Sequence, residues 1–382
     1  MTAPEDRAPG EKVKMTVSER DPETMAAALG TWLAGRLGTE PQISGVRMPE
    51  FGGLSSTSVL FEARWTSKDQ GLSGETHCEG SFVARMAPEA GAVPVFPTYD
   101  LPGQYDLISA VAQHSSIPVP RLRWNEPGGG PLGTPFFVMD QVAGRVPLDN
   151  PPYVFGGWLY DSTPGQRADL QRDSVAILAQ LHAIENPATA FGWLVPAGDA
   201  LRAHVEGQRR YYQWGLLDDG FTIPIIERSF AWLEEHWPAD PGPDVLSWGD
   251  ARIGNIIYDE FTPAAVLDWE MAGFGPREID LSWFIFLHRF FQDIAEFFEH
   301  PGIPDFLKRS EVEAAYAEFS GYQPRDMDFY LTYAALRHAI VMARIKRRMI
   351  HFGEDQVPDE IDDYVLHRPS LEKMLDGTYR WD

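Results

Sequence analysis

Between residues 248 and 270 the chain reads Trp248-Gly249-Asp250-Ala251-Arg252-Ile253-Gly254-Asn255 and later Leu267-Asp268-Trp269-Glu270. A carboxylate can orient or deprotonate an attacking hydroxyl, and hard oxygen ligands can hold Mg²⁺ against phosphate groups. Phosphoryl transfer from a nucleotide needs both at once. Asp250, followed five residues later by Asn255, offers a base and one metal ligand from a single loop. The stretch Asn255-Ile256-Ile257-Tyr258, a turn from Asp259 to Pro263, and Ala265-Val266-Leu267 read as strand, turn, strand. Asn255 opens that hairpin and Asp268 closes it, so both can reach one ion. The Asp250/Asn255 spacing alone is a weak signal; joined to Asp268 after an apolar strand, it is specific.

Composition narrows what such a site can serve. The 382 residues carry 32 Lys+Arg against 56 Asp+Glu, a net charge of −24. A nucleic-acid binder needs a basic footprint, and so does a protein that docks on an anionic membrane. The acidic field suits a cationic or metal-bound ligand better. The single cysteine, Cys78, excludes an internal disulfide and a thiolate zinc cluster. The N-terminus lacks the order of a signal peptide, and the apolar stretch Trp283 to Leu287 stops at His288-Arg289. A soluble, cytoplasmic protein is expected.

The elements that must position these residues divide into two parts. Residues 1–20 read as a loose polar tail. Asp21-Pro22-Glu23 is a helix start, Met25, Leu29, Trp32, Leu33 and Leu37 share a face, and Gly38 is the stop. Phe51-Gly52-Gly53-Leu54-Ser55-Ser56-Thr57-Ser58 is a small-residue loop that leads into a strand with alternating Val59, Phe61, Ala63 and Trp65. Gly71 to Gly80 reads as a connection into the strand Ser81–Arg85. A helix near Gln104–Gln113 and a buried strand Phe136–Met139 follow. After Gly144 the pattern turns helical, beginning with the capping box Thr163-Pro164-Gly165-Gln166 and the stripe Leu170, Ile177, Leu178, Leu181. Helices resume at Leu281 and run to about His351, with breaks near Pro301 and Gly321. The expected organisation is an α+β, two-lobed chain: a small β-rich N-lobe over 21–141 and a larger, mainly helical C-lobe over 142–382. Ligands are expected in a cleft between the lobes.

Gly249-Asp250, Asn255, Asp268-Trp269-Glu270 and Asp280-Leu281-Ser282-Trp283 together resemble the aminoglycoside phosphotransferase and choline-kinase-like family. That family is a branch of the protein-kinase-like fold. More narrowly, the stretch is similar to the kinase-like domain found fused to acyl-CoA dehydrogenases. The resemblance implies a protein-kinase-like fold and an ATP- and Mg²⁺-dependent transfer of phosphate to a hydroxyl of a small molecule. It implies Asp250 as catalytic base, Asn255 and Asp268 as metal ligands, and Asp280 as a buried organiser of the loop. It also implies a nucleotide loop at Gly53, Ser55 and Ser56, whose N–H groups and hydroxyls would face phosphate. Arg85 stands where kinase folds keep a phosphate-contacting lysine. The backbones of Asp140 and Val142 would meet adenine.

Three positions depart from the family pattern. Trp248 replaces the histidine before Gly-Asp, and its indole N–H is a substitute brace. The helix glutamate is replaced by Gln104, with Asp106 nearby, and Pro276 stands where relatives keep a second acid. Trp248 and the missing glutamate motivate a rival, a nucleotide sensor without turnover; a metal-dependent hydrolase is the other. His182 reads as a packed or capping histidine, and Glu270 as a structural hydrogen-bonding residue or a contact to metal or substrate. Trp283, Phe284, Phe286, Phe290 and Phe291 read as core. The run Arg344, Lys346, Arg347, Arg348 reads as a solvated helix face or, more sharply, a site for an anionic substrate. Net charge favours a cationic amino-sugar or amino-alcohol as acceptor; the basic run and the dehydrogenase-linked relatives favour a hydroxyacyl anion. Both stay open.

Overall fold

The computed structural model describes residues 21–48, 56–68, 75–88, 93–216 and 219–382. These fall into two compact units, 21–109 with 119–143 and 110–118 with 144–382.

In the first unit Asp21 caps α1 (Pro22–Leu37), its carboxylate accepting the Thr24 N–H at 2.8 Å, and Gly38 at φ 69° ends the helix. Five antiparallel strands follow: β1 (Gln42–Arg47), β2 (Thr57–Lys68), β3 (Glu75–Met86) and, after α2 (Leu101–His114), β4 (Leu122–Glu126) and β5 (Phe136–Asp140). Their order across the sheet is β1-β2-β3-β5-β4. Met25, Leu29, Trp32 and Leu33 of α1 pack against Val59, Phe61, Ala63, Phe82, Ala84, Met86, Phe136 and Val138 on one face. Strand alternation sends Val83 and Arg85 to the opposite face.

The reading of Gly71–Gly80 as a connection needs correction. Residues 75–80 belong to β3, which pairs with β2 without a break from Thr57↔Met86 to Lys68↔Glu75. Ladder hydrogen bonds, not apolar alternation, hold that polar end of the strand.

The second unit contains α3 (Pro164–His182), α4 (Pro187–Ala190), α5 (Ala200–Gly215), α6 (Pro224–Glu235), the short strands β6 (Val245–Ser247), β7 (Ile256–Asp259), β8 (Thr262–Val266) and β9 (Gly273–Gly275), and then α7 (Glu278–Phe297), α8 (Arg309–Ser320), α9 (Met327–His351) and α10 (Arg368–Leu375). The capping box at α3 forms: Gln166 N–H donates to the Thr163 hydroxyl at 3.3 Å, and Thr163 N–H donates to Gln166 Oε1 at 3.0 Å. Helix α7 packs on α9, and α3 on α8. Among the described residues no helix is long and apolar enough to cross a membrane.

The basic run on α9 is not a solvated face. Arg344 is buried with its guanidinium 4.4 Å from the Trp214 ring centre, and Arg347 is buried in an ion pair with Asp219 at 2.8 Å. Lys346 pairs with Asp355 at 3.2 Å. Clustered cations look solvated in sequence, but α9 runs through the interior, and its arginines reach aromatic and carboxylate partners there.

Candidate active site

Two nested antiparallel pairings build the site in the second unit. Strand β6 pairs with β9, Ser247 opposite Gly273, so the segment between them leaves and returns at one place. Inside that segment β7 and β8 form a hairpin, Ile256 opposite Val266. Asn255 ends a 3₁₀ turn just before β7, and the Leu267 N–H donates to its carbonyl at 2.8 Å. Asp268, the next residue, is thereby held beside Asn255 along the backbone. The hairpin's turn is tighter than the sequence suggests, since Thr262 and Pro263 already belong to β8.

Backbone strain sits at both ends of this arrangement. Gly249 has φ +88°, and a Cβ there would lie 2.0 Å from the Met271 carbonyl oxygen. Only glycine fits so close an approach. Asp268 has φ +58°, a left-handed conformation that a side chain adopts at a cost of about 1–3 kcal/mol. The hairpin on one side and Trp248 on the other hold it there: the Trp248 indole N–H donates to the Leu267 carbonyl at 2.9 Å. The indole brace expected in place of the histidine therefore exists, and it acts on the peptide before Asp268.

The Asp250 carboxylate gathers three side-chain donors. Oδ2 accepts from Asn255 Nδ2 at 2.6 Å and from Arg252 Nε at 3.1 Å, while Oδ1 accepts from the Trp283 indole at 2.7 Å. Asn255 Nδ2 also donates to the Asp250 carbonyl at 3.1 Å. Arg252 bridges onward to Asp149, a second ion pair. Burial opposes the Arg252 charge, yet the carboxylates of Asp149 and Asp250 outweigh it and raise its pKa above the ordinary value.

Asp280, at the start of α7, organises the same loop from below. Its Oδ1 accepts the Ser247 hydroxyl at 2.7 Å and the Gly249 N–H at 2.9 Å. Its Oδ2 accepts the Trp248 N–H at 2.7 Å and pairs with His182 Nε2 at 3.1 Å. Complete burial pushes its pKa up, but these hydrogen bonds prevail and hold it below the usual carboxylate range. His182 also bonds the Tyr316 hydroxyl through Nδ1 at 2.8 Å, so both its nitrogens serve packing. From α9, the buried Arg337 donates to the Gly249 carbonyl at 2.9 Å, and its guanidinium lies 4.4 Å from the Trp283 ring centre. Burial lowers the Arg337 pKa from its ordinary value.

The donor set fits Mg²⁺. Asn255 commits its Nδ2 to Asp250, which leaves Oδ1 as the oxygen it can offer a metal. With the Asp268 carboxylate the chain would offer two hard oxygens, the small number Mg²⁺ uses when phosphates and water complete its octahedron. Among the described residues no group of three or more His, Cys, Asp and Glu forms a self-sufficient metal cage.

In the first unit the expected nucleotide residues are less fully described. Gly53 and Ser55 lie outside the described residues. Ser56 is buried immediately before β2, and its hydroxyl has no hydrogen-bond partner among the described residues. Arg85 is half-buried on β3, opposite Phe137 of β5. Asp140 ends β5, its carboxylate clamped by Arg123 at 2.5 and 2.9 Å, and the Asp140 N–H donates to the Arg121 carbonyl. Val142 follows two residues later, half-buried and outside any strand. On α2, Gln104 is buried and Asp106 exposed.

Three residues at Asp250 escape sequence reasoning. Arg252 differs from any charged loop residue only through its distant partner Asp149. Trp283 reads as core because it stands in an apolar run, and Arg337 lies 88 positions from the carbonyl it holds. The Asp280-Leu281-Ser282-Trp283 motif was the available signal for Trp283.

Comparison with known proteins places this architecture. Residues 74–316 match the phosphotransferase enzyme family. The chain is 22% identical over 261 residues to "Probable acyl-CoA dehydrogenase IBR3" of Arabidopsis thaliana, covering 65% of this chain and 31% of that protein. It is 31% identical over 156 residues to human acyl-CoA dehydrogenase family member 11, covering 40% of this chain and 19% of the relative. The chain thus spans a third or less of the length of these curated relatives. Among solved structures, a candidate aminoglycoside phosphotransferase from Ralstonia eutropha superposes with a TM-score of 0.64 at 20% identity, over 92% of this chain and 97% of that one. A thermostable mutant of aminoglycoside phosphotransferase APH(4)-Ia, solved with AMP-PNP and hygromycin B, gives 0.55 at 12% identity over 92% and 98%. These likenesses establish the kinase-like fold.

Proposed function

We propose, from the premise that this chain belongs to the phosphotransferase enzyme family, that it moves the γ-phosphoryl group of ATP to a hydroxyl of a small molecule. The observation that carries this reading is the hydrogen-bonded Asp250–Asn255 pair beside the hairpin whose end bears Asp268. Asp250 is hydrogen-bonded to Asn255, and the Leu267 N–H bonded to the Asn255 carbonyl holds Asp268 alongside.

In this reading Asp250 accepts the proton of the acceptor hydroxyl. As it does so, the hydroxyl oxygen bonds to the γ-phosphorus and the bond from phosphorus to the β–γ bridging oxygen breaks, leaving ADP. Asn255 Oδ1 and the Asp268 carboxylate hold Mg²⁺, which supplies charge neutralisation at the phosphates when bound. Arg252 adds a fixed positive charge beside the base. In the first unit, Gly53, Ser55, Ser56 and Arg85 are assigned to phosphate contacts, and the backbone of Asp140 and Val142 to adenine. The Trp248 indole bonded to the Leu267 carbonyl supports turnover over the sensor alternative, which the missing histidine helped to motivate.

The test is a thermal-shift titration with ATP, with and without Mg²⁺. At a ligand concentration 100 times Kd, binding stabilises the fold by about 2.7 kcal/mol. Asp268→Ala should lose the Mg²⁺-dependent part of that shift; an unchanged shift overturns the metal assignment. An ADP-release screen that sets amino-sugars and amino-alcohols against anionic hydroxyacyl compounds then identifies the acceptor class.

A further inference from the structure

The donors around Asp250 are distributed unevenly. Oδ2 receives Asn255 and Arg252, which fills both of its lone pairs, whereas Oδ1 receives, among the described residues, only the Trp283 indole N–H at 2.7 Å. One lone pair on Oδ1 remains to accept a further hydrogen bond. Asn255 and Arg252 also face groups other than the base: Asn255 is the assigned metal ligand, and Arg252 is shared with Asp149. Trp283 makes no such second commitment. Its ring is buried, and its only polar atom is spent on Asp250.

The ring is itself held. Arg337 of α9 stacks over it at 4.4 Å while donating to the carbonyl of Gly249, the residue preceding the base. Helix α9 therefore fixes both the backbone and the side chain of the base, one through a carbonyl and the other through an indole. A carboxylate turns easily about its terminal torsion. A donor from a rigid helix sets that torsion where solvent or a loop would not.

We propose that Trp283 is a positioning residue for phosphoryl transfer, orienting the Asp250 carboxylate so that Oδ1 presents its remaining lone pair to the acceptor hydroxyl. This inference rests on the reading of Asp250 as base. The hydroxyl proton goes to Oδ1 as the acceptor oxygen bonds to the γ-phosphorus and ADP departs. Loss of the indole N–H leaves the base held through Oδ2 alone, with nothing among the described residues fixing Oδ1, and misplacement of a reacting group by about 1 Å lowers a rate by roughly 100-fold.

The experiment measures ADP release from Mg²⁺-ATP, with water as the acceptor, for wild type, Trp283→Phe and Asp250→Asn. Phenylalanine keeps an aromatic face for Arg337 and removes only the donor. Trp283→Phe should lower turnover about 10- to 100-fold while the Kd for Mg²⁺-ATP stays within about twofold. Unchanged turnover in Trp283→Phe, with turnover lost in Asp250→Asn, overturns the inference and spares the base. Full turnover in Asp250→Asn overturns the base reading instead. A second measurement needs neither turnover nor a stable Trp283 variant. In the full chain labelled with ¹⁵N-tryptophan, one far-downfield indole N–H should move upfield when Asp250→Asn is introduced. Indole resonances indifferent to that substitution would show that the bond does not orient the base.

Discussion

Asp250 and Asp280 serve the same loop, thirty positions apart, and differ in how completely they are satisfied. Asp280 is fully buried and receives four donors, two from backbone N–H groups, one from Ser247 and one from His182. Its capacity as an acceptor is filled. Asp250 receives three donors from the described residues, all of them side chains, and retains one lone pair. A carboxylate with every lone pair occupied by its own fold can only hold structure. One that keeps a position open, against fixed partners, can take a hydrogen bond from a substrate. The partner list thus distinguishes an organiser from a base better than burial does.

The largest expected effect comes from removing the organiser. Asp280→Ala leaves at least two buried donors unpaired, the Trp248 and Gly249 N–H groups, and each unsatisfied group costs about 1–3 kcal/mol. Stability should fall by roughly 3–5 kcal/mol in urea unfolding. Turnover should fall with it, because the loop that carries Asp250 loses its anchor. A loss below about 1 kcal/mol would break the comparison at its structural end.

The converse substitution should spare the fold. Asp250→Asn keeps the side chain's shape and one oxygen for Asn255 and Arg252, at the loss of the bond from Trp283. Stability should change by about 1 kcal/mol, the worth of one hydrogen bond. Turnover should drop by about 10²–10⁴, the usual contribution of a positioned acid–base group, with ATP affinity nearly intact. A nucleotide sensor would show no such difference.

The contrast between Asp250 and Asp280 was only partly legible from residue order. The hairpin that joins Asn255 to Asp268 is visible because apolar strands bracket a polar turn, and helix α1 announces itself through Asp21, Pro22 and Gly38. The central strands β2 and β5 show in alternation or in a buried run. Strands β1 and β4 do not, since they are the two edges of the sheet and carry exposed or half-buried residues at most positions. The site divides likewise. Asp250, Asn255 and Asp268 lie within one short span, so spacing reveals them. Trp283 and Arg337 meet the loop through tertiary packing of α7 and α9; the apolar run around Trp283 makes it read as core, and nothing beside Arg337 in the sequence points to the loop. The arginines of α9 carry the same lesson, for charge density along a helix says nothing of which helices surround it.

The smallest expected effect concerns His182, where the comparison can be sharpened to a single donor. It lies at the end of α3, fully enclosed, with one ring nitrogen on Asp280 and the other on the Tyr316 hydroxyl. His182→Phe keeps an aromatic ring of similar size and removes both bonds. Asp280 would retain Ser247 and two backbone donors but lose His182, the strongest of the interactions that offset its burial, and the Tyr316 hydroxyl would lose a partner. The expected loss is about 1–3 kcal/mol, smaller than for Asp280→Ala, because no backbone donor of the loop is orphaned. Turnover per folded molecule should hold, since nothing bonded to Asp250 is touched. Urea unfolding and ADP release on the same variant decide the matter. A fall in turnover of 100-fold or more with stability unchanged would move His182 from packing into the chemistry, and would show that an organiser's partner can also act as an acid or base.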